Sequence, residues 1–320
     1  MVVSILLMSI VLYVSAFFLP ITRNITTSST LIFDNFFNSK LIFGGTPLSG
    51  ILAVTLLLLT AFSIFVLDNT FSTGINHILP LIYIFFVSTN PNSVFLTPMH
   101  AVALLLIWSF FFSVDYRVKG LKLESLLKSF FLLSCASFFY APVLWLFPIM
   151  FAINIRSSED KIKFIFISII GTILPFIFLL GTDYLINGCE NTVELINRYC
   201  TLLVNIEEKF FPYSAAKIFK IIVIVIFSIQ ATVYLLKRMN SFKIAKSRSL
   251  TRIITYLFFL IIIVFFFNRS DREPTGLIIY IPISIILFEY ISTNYNRKQG
   301  MITNLIIMCA IIIERLAYLI

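Results

Sequence analysis

The sequence predicts an all-α protein, a polytopic transmembrane helix bundle of about eleven spans with its N-terminus inside and one amphipathic helical segment outside. The first observation is composition: 59% of the 320 residues are hydrophobic and 12% are charged, which is far outside the range of soluble domains. The second is that apolar residues form long continuous runs. Such runs must be helical, because the hydrocarbon core offers backbone groups no other hydrogen-bond partner. The runs also lack the period-two alternation of an outer-membrane barrel.

The third observation is a basic segment that orients the bundle. Residues 237–252 contain six Lys and Arg residues and no acidic residue. Such a segment is costly to move across a bilayer, so we predict a basic cytoplasmic loop at 237–252. The resulting assignment places 14 Lys and Arg residues in inside loops and six in outside loops. Topology therefore accounts for the net charge of +9, and we expect no nucleic-acid partner.

Eleven apolar runs are assigned as spans of a single integral membrane domain, residues 1–320. The first run contains Val14-Ser15-Ala16, which is typical of a signal-peptidase site, but no Lys or Arg precedes it, so we expect an uncleaved anchor. The predicted spans are Met1 to Pro20, Gly50 to Leu67, Phe71 to Ser88, Pro98 to Val114, Ser125 to Phe139, Ala141 to Ile155, Phe164 to Gly181, Ile221 to Leu236, Ile253 to Phe267, Thr275 to Ile291 and Met301 to Ile320.

The fifth and sixth runs leave an alternative open. Each has about 15 residues, or about 22 Å of helix, which is short for a span. They are separated at Tyr140 and form either two short spans or one kinked span. Charge favours two spans, because the basic residues of 115–124 and 156–163 then lie on the same side of the membrane.

The outer loops are predicted at 21–49 and 182–216. In the second, apolar residues at helical spacing indicate an amphipathic helix that lies at the outer interface. Cys189 and Cys200 belong to this segment, where a disulfide is permitted. On one unbroken helix they would be about 16 Å apart, so a bond between them requires a turn.

Cations near the outer leaflet form the candidate site. Lys217 and Lys220, directly before the eighth span, share one helical face at the outer leaflet. With Arg198 upstream, they are suited to hold the phosphate of a lipid carrier. Asp34, in the first outer loop, would then act as a general base or position a sugar hydroxyl. The alternative is that the lysines snorkel and Asp34 is a solvated loop residue.

Metal chemistry is not expected. His77 and His100 are placed at opposite ends of neighbouring spans, so they cannot share one metal ion. The sequence has no Cys-x-x-Cys pair, Gly-rich phosphate loop or His-Glu-x-x-His motif. We therefore predict no metal site and no cofactor.

Charged residues inside the predicted spans are costly unless they are paired or reach water. We expect Lys128 to snorkel to the inner surface. Glu289 lies near the inner end of the tenth span, where it would reach lipid headgroups or Lys298.

Three sequence features together resemble a known family: Asn90-Pro91, Ser137-Phe138-Phe139-Tyr140-Ala141-Pro142 and Gly171-Thr172-Ile173-Leu174-Pro175. The stretch from Asn90 to Gly181 resembles uncharacterised bacterial multi-pass membrane proteins of about 300 residues. The resemblance implies two short spans joined at the Tyr-x-Pro turn, and no established activity. Some members carry a carotene monooxygenase label, but an oxygenase of that kind needs several iron-binding histidines, and the two distant ones here argue against the transfer.

Three function hypotheses follow from these observations. The first is a non-enzymatic or structural component of the bacterial cell envelope, in the cytoplasmic (inner) membrane. The second is a membrane glycosyltransferase-like enzyme that acts on lipid-linked sugars at the outer leaflet. The third is a small-molecule transporter, in which proline-broken helices would form a midplane site. The expected partners are membrane lipids, and a lipid-linked glycan or other envelope proteins.

Overall fold

Helices form all the regular structure in the part of the chain that the structure, a computed structural model, describes. The described residues are 47–71, 78–118, 123–156, 158, 160–204, 215–242, 244–267, 275–293, 306–307 and 309–313. The prediction of an all-helical protein is confirmed for these ranges. The first predicted span and the first outer loop, with Asp34, lie outside them.

The long helices follow the apolar runs, and short 3-10 turns connect some of them. The α-helices are α1 (Pro47–Phe71), α2 (Ile78–Ser88), α3 (Pro98–Val118), α4 (Leu123–Phe139), α5 (Leu146–Ile155), α6 (Lys161–Asn187), α7 (Cys189–Val204), α8 (Ala215–Arg238), α9 (Ile244–Phe267) and α10 (Gly276–Thr293). The 3-10 turns are Pro91–Val94, Ala141–Trp145 and Met239–Ser241. Residues 306–307 and 309–313 are also helical.

Four helices of the described residues are long and apolar enough to cross a membrane. The apolar segments are Leu48–Leu67, Lys161–Asn187, Ile218–Ser241 and Lys246–Phe267, with 20 to 27 residues each. At 1.5 Å per residue, 20 residues extend about 30 Å, the thickness of the hydrocarbon core. Shorter apolar helices lie at Leu79–Ser88, Pro98–Val114, Ala141–Ile155 and Gly276–Ser292.

The chain reverses at Tyr140, so the fifth and sixth runs form two helices and not one kinked helix. Asn154 at the end of α5 donates to Ser113 in the last turns of α3, at 2.9 Å. Phe151 of α5 also contacts the ring of Phe164 at the start of α6, with centroids 5.2 Å apart. The end of α5 therefore returns to the level where α4 begins, and α4 and α5 are two antiparallel helices.

Helix α4 packs closely against α3 and α6 because small side chains let these neighbours approach it. On one side, Ser109 of α3 and Ser129 of α4 each donate to the other's backbone carbonyl at 2.8 Å. On the other side, the backbone of α6 at Gly171 lies against α4, and Ser134 donates to the carbonyl of Thr172 at 2.8 Å.

Contacts at the two ends of the bundle show how the helices alternate. At one end, the Lys220 ammonium of α8 donates to Thr89, after α2. At the opposite end, Ser113 of α3 bonds to Asn154 of α5 and to Tyr256 of α9. We call these the Thr89 end and the Ser113 end. Basic residues of the described chain gather at the Ser113 end, among them Arg156, Lys161, Lys163, Arg238, Lys246, Arg248 and Arg252.

The predicted amphipathic helix is present as α7, at the Thr89 end. It buries Leu195 and Leu202. The Trp145 indole, in the turn before α5, donates to the carbonyl of Leu203 at 3.2 Å. Cys189 and Cys200 both lie on α7, exposed and unbonded, as expected for two cysteines eleven positions apart on one helix.

Candidate functional site

A groove of about 680 Å³ lies between α5 and α9 at the Ser113 end. Its lining changes character along its length, from three arginines at one end, through two threonines, to apolar residues at the other. The lining residues are Pro148, Ile149, Ala152, Ile153, Arg156, Arg248, Thr251, Arg252, Thr255 and Phe259. We call this the arginine groove.

Helical periodicity places these side chains on facing stripes. On α9, residues 248, 251, 252, 255 and 259 recur every three or four positions, so they share one face. On α5, residues 148, 149, 152, 153 and 156 do the same. Because α5 and α9 run in opposite directions, Arg156 lies at the end of the groove that Arg248 and Arg252 occupy.

Arg252 is the buried member of the three arginines. It is 4% exposed, and its Nη1 donates to the backbone carbonyl of Ser113. The hydroxyl of Ser113 in turn bonds to Asn154 at 2.9 Å and to the Tyr256 hydroxyl at 2.7 Å. This network fixes α3, α5 and α9 to one another and holds the Arg252 guanidinium against the groove. Arg156 and Arg248 are exposed at its mouth.

Donor geometry identifies the groups in the groove that are suited to bind a ligand. The hydroxyls of Thr251 and Thr255 each donate to a backbone carbonyl one turn earlier in α9, at 2.9 Å. The arginines supply the charged donors, five N–H groups each in a planar fork that matches a phosphate or carboxylate. A guanidinium keeps its proton at physiological pH. Guanidinium groups are therefore suited to hold negative charge and poorly suited to transfer protons.

An ion pair with a buried carboxylate lies elsewhere on α9, two residues before Arg248 along the chain. Lys246 Nζ is 2.8 Å from the carboxylate of Glu289 on α10, and the Glu289 side chain is 3% exposed. The sequence predicts that Glu289 reaches headgroups or Lys298, and it does not predict Lys246 as the partner. Lys128 pairs with Glu124 one turn earlier on α4.

The sequence-predicted outer site is only partly described. Lys220 is 3% exposed and donates to Thr89 Oγ1 at 3.3 Å, so its ammonium lies inside the bundle. Arg198 is exposed on α7, which packs against α6 and the 141–145 turn. The backbone of Lys217 lies on α8, but its side chain, like the whole of Asp34, falls outside the described residues. The cooperation of Asp34, Lys217, Lys220 and Arg198 stays a prediction.

His100 has a structural role in the loop between α2 and α3. It is 1% exposed, and its ring nitrogens lie 3.0 Å from the Thr97 hydroxyl and 3.1 Å from the Ser93 carbonyl. These contacts hold the loop against the first turn of α3. Within the described residues, no group of three His, Cys, Asp or Glu side chains is placed to hold a metal ion. His77 lies outside them.

In the sequence, the cations of the arginine groove indicate the topology and do not by themselves indicate a site. Arg248 and Arg252 were assigned to the basic loop 237–252, whereas α9 begins at Ile244 and carries both on its first turns. Their spacing of four positions, continued by Thr255 and Phe259, is the signal that indicates one helix face. Asn154, an isolated amide in an apolar run, is the second such signal.

The chain was compared with protein-family models, with curated proteins and with solved structures, and none of them matches it. The resemblance drawn from Asn90 to Gly181 therefore stays a prediction.

Proposed function

We propose that this chain is a multi-pass protein of the bacterial cytoplasmic membrane, with its Ser113 end in the cytoplasm, that acts as a non-enzymatic component of the envelope by binding an anionic ligand in the arginine groove. The proposal includes the eleven spans and inside N-terminus predicted from the sequence. The observation that carries it is the convergence of Arg156, Arg248 and Arg252 on one cavity of about 680 Å³.

The choice of a binding function over catalysis rests on the chemistry of the groove. Guanidinium groups hold charge and shape, whereas general acid or base catalysis needs a group whose pKa lies near the working pH. The cavity volume lies within the range of sites that hold small organic ligands. An enzyme acting on lipid-linked sugars and a transporter stay hypotheses, and the first of these depends on Asp34.

Anion binding is tested by ligand-induced stabilisation of the purified protein in an uncharged detergent. A ligand that binds only the folded state at 100 times its Kd adds about 2.7 kcal/mol to the free energy of unfolding. We expect inorganic phosphate or dihexanoyl phosphatidate to raise the unfolding temperature, and the Arg156→Gln/Arg248→Gln variant to lose the response.

The matched control removes a cation from the same end of the bundle but outside the groove. Lys161 is exposed on α6 and does not line the cavity. Lys161→Gln should therefore respond to both probes as the parent protein does. An equal response of the double arginine variant, or no response of the parent to either probe, would refute the anion site.

Orientation is tested separately. Arg248→Cys, in a background that lacks the four native cysteines, should react with a membrane-impermeant thiol reagent only after the cells are opened. Labelling in intact cells would show that the Ser113 end lies outside, opposite to the proposed orientation.

A further inference from the structure

The arginine groove has an apolar half that the binding of a small anion does not use. From Arg248 to Phe259, α9 advances eleven residues, or about 16 Å. The three arginines occupy one end of this length. Pro148, Ile149 and Phe259 line the other end. A free phosphate ion would contact the arginines and leave the apolar wall empty.

We propose that the ligand is a membrane lipid whose phosphate group lies among Arg156, Arg248 and Arg252 and whose hydrocarbon chain lies along Ile149, Ile153 and Phe259. This inference rests on the proposed anion site and adds the class of its ligand. A lipid phosphate carries negative charge and a chain on one molecule, in the order in which the groove presents its cations and its apolar side chains.

The position of the groove suits entry from the bilayer. Pro148 and Ala152 are exposed along its length, so it opens on the side of the bundle as well as at the end. The residues Lys246–Phe267 of α9, which form one wall, belong to an apolar segment long enough to cross a membrane. A lipid therefore reaches the groove laterally, with its headgroup at the level of the arginines and its chain directed toward the bilayer interior.

The depth of Arg252 supports a headgroup in preference to a solvated ion. Arg248 and Arg156 are exposed, whereas Arg252, one turn further along α9, is buried. Cations at two depths suit a phosphate that sits at the boundary between water and hydrocarbon. Charge-assisted bonds formed there, with water partly excluded, are stronger than bonds in solvent.

Three short-chain probes compare the binding of a whole lipid with the binding of its phosphate part and of its hydrocarbon part. Dihexanoyl phosphatidate carries phosphate and chains, glycerol phosphate carries the phosphate alone, and dihexanoylglycerol carries the chains alone. Binding to the protein in uncharged detergent, below the probe's own micelle concentration, is followed by the shift in unfolding temperature. We expect phosphatidate to bind at least about tenfold more tightly than either part, because burying only a few methylene groups accounts for that factor.

A groove-filling variant tests the chain position. Ala152 lines the groove and is exposed, so Ala152→Phe should fold and obstruct the apolar wall while the arginines remain. It should weaken phosphatidate binding about tenfold and leave glycerol phosphate binding unchanged. Lys161→Gln is again the control and should change neither.

The outcomes distinguish the inference from the function on which it rests. One outcome is that glycerol phosphate binds as tightly as phosphatidate and that the binding of both is lost in Arg156→Gln/Arg248→Gln. That result would refute a lipid as the ligand and would support the anion site. Phosphatidate binding that Ala152→Phe does not weaken would overturn the chain position. No binding of any phosphate probe would overturn both proposals.

Discussion

A methyl group added at Gly171 should separate α6 from α4, because the two helices pack closely at this position. A Cβ at this position would lie 3.0 Å from the backbone oxygen of Leu127 and 3.1 Å from the Cβ of Phe130, both on α4. Non-bonded carbon atoms normally approach to about 3.5–4.0 Å. Gly171→Ala therefore forces α6 away from α4 by about 0.5 Å, and the backbone oxygen has no rotamer by which to move aside.

The size of the effect follows from two opposing terms. Overpacking a filled interior costs about 1–3 kcal/mol. Replacing glycine by alanine inside a helix gains about 0.8–1 kcal/mol in helix propensity. The net loss at position 171 is about 0–2 kcal/mol, which alone would be hard to interpret. Gly181 resolves this, because it lies on the same helix and a Cβ there meets no atom within 4 Å.

The measurement is therefore a difference between two variants. Gly181→Ala should be neutral or stabilising, and Gly171→Ala should unfold more easily than it by the full overpacking cost, about 1–3 kcal/mol. Equilibrium unfolding in mixed micelles, with both variants under identical conditions, gives this difference. Equal free energies of unfolding for the two alanine variants would show that α6 does not pack on α4 at Gly171.

Three further predictions concern other contacts. Lys246→Met should lower the free energy of unfolding by about 3–5 kcal/mol, because it leaves the buried Glu289 carboxylate without its ion pair. Adding Glu289→Gln should recover most of this loss in a double-mutant cycle. Additive losses of the two substitutions would contradict the ion pair. The side-chain hydrogen bond from Lys163 lowers the pKa of Asp160, so the bond stabilises the start of α6 above the unfolded-state pKa and is lost as the pH falls through the folded-state pKa. Hydrogen exchange in the first turn of α6 should accordingly rise on acidification in the parent but be independent of that titration in Asp160→Asn. Trp145→Phe removes the hydrogen bond to α7, so amides of α7 should exchange faster while those of α6 do not; unchanged exchange in α7 would show that the indole does not anchor it.

Much of the helix arrangement could be predicted from the sequence because two strong signals agree. Apolar runs predict the positions of the helices along the chain. The distribution of basic residues predicts which helix ends lie on the same side of the bundle. The pairing of Asn154 with Ser113, at one end of the bundle, agrees with the charge argument that separated the fifth and sixth runs.

The candidate site could not be predicted in this way. Counting charges assigns a residue to one side of the membrane but does not give its direction around the helix axis. The sequence places Lys220 near the outer leaflet and Arg252 in the basic loop. Both are buried, and they donate to Thr89 and to the Ser113 carbonyl respectively. Both acceptors lie on distant parts of the sequence, and no local pattern identifies them.

The burial of Arg252 indicates that this cation has a role other than setting the topology of the chain. A cation whose task is to retain a loop in the cytoplasm works best in water, and Lys161 and Lys163 are exposed in this way. Burying a guanidinium is costly unless hydrogen bonds compensate it. Arg252 is buried beside a cavity that Arg156 and Arg248 also line, so the fold brings like charges toward one space against their mutual repulsion. An anion in that space would reduce this repulsion, because it neutralises part of the positive charge. Binding of an anion in the arginine groove would for this reason be coupled to the stability of the fold.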